Sequence, residues 1–470
     1  MDKKFHTFLT ANNLQTRPGA QHGLWLAFLL PLAISVSYYR NLEVSSEIYR
    51  LNAVLSVNLL LSVMITIIET LQKLSSLASK ICLLVVVAAT ATILTVILLK
   101  GLLFSLLISF FVTFGFKKSL FTIIKLFPRS FSFGEACVCA EGLIFFMVSF
   151  YINIIAHKQS QNERLGSIST TVIQIGLFGL GLICLTSYYF KGILCRTIPF
   201  YIFIILSLFI LIILPLHVVL QRSPILWIIN LFTADRNTVY VFFYWILCCI
   251  VATLIVRNQI EDGNKASTIV RKTFHVLAVA VYLPGLLYCC NLLYLASGVV
   301  LGIFVGLELL RILKIEPLGP ILQDGFHVYS DEKDVGSIAL TPIYLLVGCS
   351  LPLWIHPDPC DVVDSAGFNL LPLTSGLLTI GIGDAAASAM GKKFGKHKWP
   401  GSQKTFEGTI ACILSQLIMV FIFNRIGYAA FTPVQIGRII FGIIFCSYVE
   451  AVTDQIDNLV LPFIMYIILI

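Results

Sequence analysis

Long apolar runs, each close to the length of a bilayer crossing, recur along the whole chain. A transmembrane helix needs about 20 mostly apolar residues, whereas a transmembrane β-strand gives short segments of alternating polarity. The first run, 24–39, follows a polar stretch and has no small-residue cleavage site, so we expect it to remain as the first span. The pattern predicts an all-α, polytopic integral membrane protein.

Composition strengthens this interpretation. Hydrophobic residues make up 58% of the 470 residues and charged residues only 12%, whereas soluble domains carry about 25% charged residues. The net charge of +8 is compatible with anionic lipid or a phosphate-bearing substrate. The 13 cysteines show no metal-binding spacing, so we expect buried free thiols.

The chain divides into two regions of different character. Region 1–256 contains apolar spans with short basic connectors, and its sequence suggests a membrane scaffold. Region 257–470 alternates apolar spans with polar loops rich in specific side chains, so we expect the catalytic part there. Its predicted spans are 274–290, 293–310, 337–355, 371–390, 408–424, 434–449 and 459–470.

Four polar loops of the second region are predicted to lie on one side of the membrane, because two spans separate each consecutive pair. They are 257–272, 311–334, 391–406 and 450–458. The first three are rich in Lys and Arg, whereas a connector on the opposite side contains Asp358, Asp361 and Asp364. An excess of Lys and Arg marks the cytosolic side, so we expect the polar site to face the cytosol.

Asp384 stands out because it lies inside an apolar run, among small residues from Gly381 to Ala389. A carboxylate within a membrane span is a functional candidate by default. The alternative is a carboxylate that only bonds a neighbouring helix. The spacing Gly381-x-Gly383-x-x-Ala386 also imitates a dinucleotide fingerprint, but no strand is predicted before it.

The loop at 391–406, which we call the lysine loop, follows directly. Its lysines suit phosphate oxygens, its glycines permit turns that expose backbone N–H groups, and Trp399 could stack on a base. A loop that only fixes topology is the alternative. As a predicted nucleotide-binding segment it comprises Gly391, Lys392, Lys393, Phe394, Gly395, Lys396, His397, Lys398, Trp399, Pro400, Gly401, Ser402, Gln403, Lys404, Thr405 and Phe406.

Other charged residues fall on the same predicted surface. Arg271 and His275 are four residues apart at a helix start, with Lys272 beside them. Glu450, Asp454 and Asp457 have the spacing of one helical face, and carboxylates there could hold Mg²⁺. Asp331 and Asp334 are further candidate metal ligands, and Glu407 follows the lysine loop. Together these residues indicate phosphoryl chemistry on a lipid-embedded substrate.

Six segments, in this order, resemble the dolichol kinase family, the CTP-dependent kinases of the endoplasmic reticulum. They are "RKTFHVLAVAVYLPG" (271–285), "EPLGP" (316–320), "DEKD" (331–334), "GIGDAAASAMG" (381–391), "KWPGSQKTFEGT" (398–409) and "DNLVLP" (457–462). The resemblance covers about 200 residues of the second region. Asp454 departs from the family pattern, which leaves Glu450 and Asp457 as the better metal candidates.

The resemblance implies a multi-pass protein of the endoplasmic reticulum membrane that transfers phosphate from CTP to dolichol, with Mg²⁺ as cofactor. Dolichyl phosphate, the lipid carrier for protein glycosylation, would be the product, and no nucleic-acid partner is expected. The implied catalytic residues are Asp384, Lys404, Glu407, Arg271, Lys272 and His275. The implied metal ligands are Asp384, Asp331, Asp334, Glu450 and Asp457.

Three alternatives remain open at this point. A phosphatidate cytidylyltransferase or a CTP-dependent diacylglycerol or phytol kinase would need the same parts. A transporter would also bury charges, but its polar residues would lie at the midplane of paired halves and not in one-sided loops. The sequence leaves the length of the polyprenol and the oligomeric state undetermined.

Overall fold

The computed structural model describes residues 2–157, 165–233, 235–263, 265–330, 335–428 and 431–470. Within these ranges every regular element is a helix. Eleven of the described helices are long and apolar enough to cross a membrane, or 12 if one bent pair counts as a span. The all-α, polytopic architecture is therefore confirmed.

The helices of the first region range from four to 26 residues, and the long ones are apolar enough to cross a membrane. They are α1 (Asp2–Ala11), α2 (Leu29–Arg40), α3 (Glu47–Thr70), α4 (Ser76–Val96), α5 (Leu102–Leu126), α6 (Phe133–His157), α7 (Leu165–Tyr189), α8 (Lys191–Leu194), α9 (Thr197–Leu208), α10 (Leu214–Leu220), α11 (Pro224–Thr233) and α12 (Arg236–Glu261). Ser46 and Ser75 begin α3 and α4 by accepting a backbone N–H in the first turn, the usual role of serine at a helix start.

The second region continues the helical pattern with shorter and more irregular elements. They are α13 (Thr268–Tyr288), α14 (Cys290–Leu313), α15 (Leu318–Tyr329), α16 (Thr341–Ile355), α17 (Leu370–Leu373), α18 (Ala385–Phe394), α19 (Phe406–Ile426), α20 (Pro433–Val452) and α21 (Asp457–Leu469). Ser267, Thr405 and Thr432 cap α13, α19 and α20, and Gln435 completes a capping box with Thr432.

The last helix, α21, lies at the centre of the molecule. Its Phe463 and Tyr466 are completely buried, and the Tyr466 hydroxyl lies 3.0 Å from the Ser37 hydroxyl on α2. The largest hydrophobic cluster extends from Phe5 to Tyr466 and joins helices of both regions. Asp457, the candidate metal ligand at the start of α21, is thus held by the core of the protein.

Three predicted spans differ from the observed helices. The run at 24–39 forms the apolar segment Leu24–Arg40, which is shorter than the long spans, and the helix predicted from 337 begins only at Thr341. The predicted span 371–390 is broken, because Gly367–Leu373 and Leu377–Phe394 meet at an angle of 52°. At the break an added Cβ on Gly376 would lie 2.2 Å from the Gly348 carbonyl oxygen, so the chain passes too close for a side chain.

The expectation of free thiols was wrong for one pair of cysteines. Cys290, at the start of α14, forms a disulfide with Cys360 in the connector between α16 and α17. This connector contains Asp358, Asp361 and Asp364 and is the one predicted to lie opposite the lysine loop. Asp364 accepts hydrogen bonds from the backbone and side chain of Asn291 and so fixes the connector to α14.

Candidate active site

Asp384 ends a wide, π-type helical segment, Leu377–Asp384, and leads into α18. It is only 3% exposed. Its carboxylate forms an ion pair with Lys272 of α13, and the His275 Nε2 atom lies 3.6 Å from the same oxygen. Wide helical turns are uncommon and are frequent at functional sites, and this one points a carboxylate at two basic side chains.

Lys404 connects the lysine loop to the helices α20 and α21. Its Nζ atom lies 2.5 Å from Glu450 Oε1 and 3.0 Å from Asp457 Oδ2, and it donates to the Glu450 carbonyl oxygen at 2.7 Å. Burial alone would lower the pKa of this ammonium group. Asp457, Glu450 and Asp384 outweigh that effect and hold the pKa of Lys404 well above its ordinary value, so it is a permanent positive charge in the site.

Asp384, Glu450 and Asp457 form what we call the carboxylate cluster. One oxygen from each lies within 4.8 Å of the other two, although the three residues come from three separate helices. Carboxylate oxygens are the ligands that Mg²⁺ prefers. Three carboxylates grouped beside Lys272 and Lys404 are therefore a donor set that fits a divalent cation.

Small residues allow the elements of the site to approach each other. An added Cβ on Gly408 of α19 would lie 2.9 Å from the Ala387 carbonyl oxygen of α18, and one on Gly383 would lie 2.7 Å from Gln416 Nε2. Gly391 likewise lies against Thr405 and Gly408. The accumulation of Gly and Ala around Asp384 therefore serves close helix packing, and it brings the lysine loop next to the carboxylate.

The lysine loop folds back on itself as a tight hairpin. Trp399 N–H donates to the Lys404 carbonyl, and Ser402 N–H donates to the Trp399 carbonyl across a turn through Pro400 and Gly401. Gly401 has a φ of 74°, which is the conformation that the third residue of a type II turn requires. The hairpin aims Lys404 inward toward the carboxylate cluster.

One expectation for this loop was not met. Several backbone N–H groups expected to face an anion instead donate within the loop, among them those of Gly395, Trp399, Ser402 and Phe406. The Trp399 ring, which the sequence suggests could stack on a base, stacks on Phe406 with ring centres 4.0 Å apart. Its indole N–H donates to Thr409, so Trp399 anchors the loop to α19.

The exposed side chains of the loop are mainly basic. Lys392, Lys393, Lys396 and Lys398 are exposed to solvent, and Lys398 donates to Gln403 at 2.7 Å. Their ammonium groups are suited to phosphate oxygens. The lysines therefore divide into four exposed groups and one, Lys404, that is paired with the carboxylate cluster.

The structure places the other candidates outside the carboxylate cluster. Glu407 lies at the start of α19, where its carboxylate meets the exposed His397 ring at 2.7 Å. Arg271 lies next to Lys272 on α13. Asp331 and Asp334 lie outside the described residues.

The prediction that Glu450, Asp454 and Asp457 share one helical face was wrong, because α20 ends at Val452 and α21 begins at Asp457. The four residues between them, 453–456, form what we call the linker. Asp454 of the linker accepts the Gln21 N–H at 2.6 Å and lies outside the cluster. The change of direction at the linker is what brings Glu450 and Asp457 together.

One contributor was missed at the level of sequence. Asn458, directly after Asp457, lies close to His275 and is buried. It belongs to the segment "DNLVLP" noted above. Its position next to the candidate Asp457 was the sequence signal that could have identified it.

Comparisons with known proteins identify the family of this chain. The family model "Dolichol kinase" matches residues 51–413. The chain is 36% identical over 362 residues to the "Dolichol kinase" of Mus musculus and 34% identical over 359 residues to that of Homo sapiens. Each alignment covers 74% of this chain and 66% of the relative, so the chain spans just under two thirds of the relatives' length.

A more distant similarity extends to fungi, with 25% identity over 256 residues to the "Dolichol kinase" of Saccharomyces cerevisiae, covering 54% of this chain and 46% of that protein. No solved structure matches the chain. The region that the family model matches includes Lys272, Asp384 and Lys404. Since the family model covers most of the sequence, this chain belongs to the dolichol kinase family.

Proposed function

We propose that this protein transfers the γ-phosphate of CTP to dolichol at the cytosolic face of the endoplasmic reticulum membrane, with Mg²⁺ as cofactor. The observation that carries the proposal is the convergence of Asp384, Glu450 and Asp457 on Lys404, beside four exposed lysines. Family membership supports a dolichol substrate. CTP as donor follows from the resemblance of the lysine loop.

The residues of the site suit the individual steps of such a transfer. The lipid hydroxyl oxygen forms a bond to the γ-phosphorus, the bond to the β,γ-bridging oxygen breaks, and CDP leaves. A carboxylate of the cluster takes the hydroxyl proton, and Lys272 and His275 hold Asp384 in place beside the other two carboxylates. Phosphoryl transfer depends mainly on positioning and charge neutralisation, which the exposed lysines supply for the phosphates.

Asp384, Glu450 and Asp457 would hold the magnesium ion. When bound, Mg²⁺ neutralises phosphate charge and orients the donor. Lys404, already paired with Glu450 and Asp457, balances part of the negative charge of the cluster before the ion and the nucleotide arrive.

An apolar groove supports a long isoprenoid acceptor. It has a volume of about 570 Å³ and lies between α2, α20 and α21. Trp25, Phe445, Val449 and Ile464 line it, and Asp454 of the linker lies at its polar end. Ile464 follows Asp457 by seven residues, which is two turns along the same face of α21. The groove is thus continuous with the helix that carries a catalytic candidate.

The proposed orientation has two independent supports. Lys and Arg concentrate on the side of the lysine loop, as on cytosolic surfaces. The Cys290–Cys360 disulfide joins segments predicted to lie on the opposite side, and disulfides persist in oxidising compartments such as the lumen of the endoplasmic reticulum.

The test of the function uses purified protein, Mg²⁺ and CTP labelled at either the γ- or the α-phosphate, with dolichol, diacylglycerol and phytol as acceptors. We expect label from the γ-position alone to reach dolichol. Transfer of α-label would instead indicate a cytidylyltransferase, and preferred labelling of diacylglycerol or phytol would change the acceptor. Replacing CTP by ATP tests the choice of nucleotide.

Orientation is tested by introducing a cysteine at Gln403, at the exposed tip of the lysine loop. In sealed microsomes it should react with an impermeant thiol reagent, in a background without other exposed free thiols such as Cys195 and Cys249. Labelling only after permeabilisation would show that the loop faces the lumen.

A further inference from the structure

The linker at 453–456 is the structural feature that sets the separation of Glu450 and Asp457. It begins three residues after Glu450 and ends immediately before Asp457. Within the linker, Gln455 is 1% exposed and Ile456 is also buried. Any shift of these four residues would move one carboxylate relative to the other.

The partners of the linker lie more than 300 residues away in the sequence, in the first region. Gln455 Oε1 accepts from the Ser132 hydroxyl at 2.7 Å, and Gln455 Nε2 donates to the Gln21 carbonyl at 2.9 Å. Asp454 accepts the Gln21 N–H at 2.6 Å. Two consecutive linker side chains are therefore bound by the segment before α2 and the residue before α6.

A buried ion pair lies behind these contacts. Arg17 and Glu135 are 3% and 0% exposed, and Arg17 Nη2 lies 2.6 Å from Glu135 Oε1. Glu135 also accepts the Ser132 N–H at 2.9 Å and the Ile456 N–H at 3.4 Å. One carboxylate thus connects Arg17, the start of α6 and the end of the linker.

The fit between the segments leaves no room for an added side chain. A Cβ on Gly23, which has a φ of 62°, would lie 2.4 Å from Gln455 Oε1. A Cβ on Gly134 would lie 1.9 Å from the Gly23 carbonyl oxygen. Such close approach restricts the positions available to Gln455, since neither backbone can move away without breaking the bonds described above.

We propose that segment 17–23 and the start of α6 act as a clamp on the linker, and that Gln455 and Glu135 are positioning residues for Glu450 and Asp457. This proposal rests on the proposed function, in which those two carboxylates act in phosphoryl transfer. It gives the first region a direct role in the catalytic site. The hydrogen bonds and the ion pair of the clamp involve neither the lysine loop nor Asp384. The effect of the clamp therefore falls on the positions of Glu450 and Asp457.

The test compares purified full-length Gln455→Ala with Gln174→Ala. Gln174 is a matched control because it is a buried glutamine that accepts a hydrogen bond from Asn153 at 2.8 Å, within the first region. Asp454→Ala provides a second clamp variant at a partly exposed position. The readouts are kcat, the KM for CTP, and the rise in melting temperature of each protein when Mg²⁺ is added.

For Gln455→Ala we expect kcat to fall by about tenfold or more, because a displacement of about 1 Å can cost about 100-fold in rate. The KM for CTP should change little, and the stabilisation by Mg²⁺ should be smaller than in the wild type. Asp454→Ala should show the same pattern more weakly. Asp454→Asn should recover activity, since its amide oxygen can still accept the Gln21 N–H.

The proposal is overturned if both clamp variants retain the kcat per folded molecule and the Mg²⁺ stabilisation of Gln174→Ala. If Gln455→Ala does not fold, the kcat and the Mg²⁺ stabilisation of Asp454→Ala alone decide whether the proposal stands. A wild-type protein that transfers no phosphate would refute the proposed function instead. The effect of Mg²⁺ on the melting temperatures would still test the clamp in that case.

Discussion

The two regions of the protein use buried carboxylates in different ways. In the first region, Glu135 pairs with Arg17 and Glu69 pairs with Lys117, each as a separate ion pair. In the second region, Asp384, Glu450 and Asp457 gather around Lys272 and Lys404. The first region keeps its ion pairs apart, and its buried Glu141 has no hydrogen-bond partner among the described residues, whereas the second region groups three carboxylates around two lysines.

That difference distinguishes structural from functional charge in a membrane protein. Burying a carboxylate costs free energy, and a basic partner offsets part of that cost. A group of three carboxylates with only two lysines is stabilised further by a bound cation, which is what a phosphoryl-transfer site requires. The clustering of carboxylates therefore marks the candidate active site better than burial does, because both regions contain buried acids.

Asp384→Asn is the most direct way to break this contrast, and it should have the largest effect. The change keeps the size of the side chain but removes the charge that Lys272 and His275 face. We expect kcat to fall by about 100-fold or more, as for loss of a main acid–base or electrostatic group. Steady-state transfer from γ-labelled CTP measures it.

Glu69→Gln is the control from the first region, because it removes an acid paired with Lys117 at 2.6 Å. It should lower the melting temperature and leave turnover per folded molecule unchanged. The opposite pattern, a stable and active Asp384→Asn with an inactive Glu69→Gln, would reverse the assignment of the two regions.

Lys404→Ala should have the next largest effect, because it leaves Glu450 and Asp457 without their shared ammonium group. We expect kcat/KM for CTP to fall by between about 10-fold and 100-fold. Raising the Mg²⁺ concentration should recover part of the loss, since the ion can neutralise the two carboxylates that have lost their ammonium partner. Lys404→Arg keeps the charge and should lose less. Equal loss in both variants, unaffected by Mg²⁺, would contradict this role.

The sequence was sufficient for those parts of the fold that depend on hydropathy and local signals. Long apolar runs gave the helices, and the segment around Asp384 and the lysine loop gave the core of the site. Hydropathy averaged over a whole span did not show the break before Leu377, because Thr374, Ser375 and Gly376 interrupt the apolar run only briefly. At this interruption Gly376 lies against the Gly348 carbonyl oxygen.

The linker illustrates what periodicity alone cannot predict. Glu450, Asp454 and Asp457 have helical spacing, but the helix ends at Val452 because residues 453–456 bond to Gln21, Ser132 and Glu135. Those partners lie over 300 positions away in the sequence. Tertiary hydrogen bonds thus override a local pattern, and the site arises from the change of direction that they impose.

A bulky side chain in the apolar groove should affect the lipid substrate more than the nucleotide. Val449 lines the groove on α20, and Val449→Trp would fill space that we assign to the isoprenoid. Losing contact with two methylene groups costs about 1.6 kcal/mol, so we expect the KM for dolichol to rise by about tenfold. Val57→Trp, on the exposed face of α3, is the control. An equal change in both variants would exclude the groove as the acceptor site.

The smallest effect should come from the exposed lysines of the lysine loop. An exposed lysine of the first region serves as the control. Lys398→Ala removes an ammonium group at the surface of the lysine loop. Exposed charge pairs contribute about 0.2–1 kcal/mol, so we expect the KM for CTP to rise by about two- to fivefold with kcat unchanged. The difference should shrink at high salt, because screening weakens exposed interactions.

Lys80→Ala, at an exposed position on α4, should leave the KM for CTP at its wild-type value. If Lys80→Ala and Lys398→Ala raise this KM equally, the overall charge of the protein attracts CTP, and the lysine loop has no specific part in binding it.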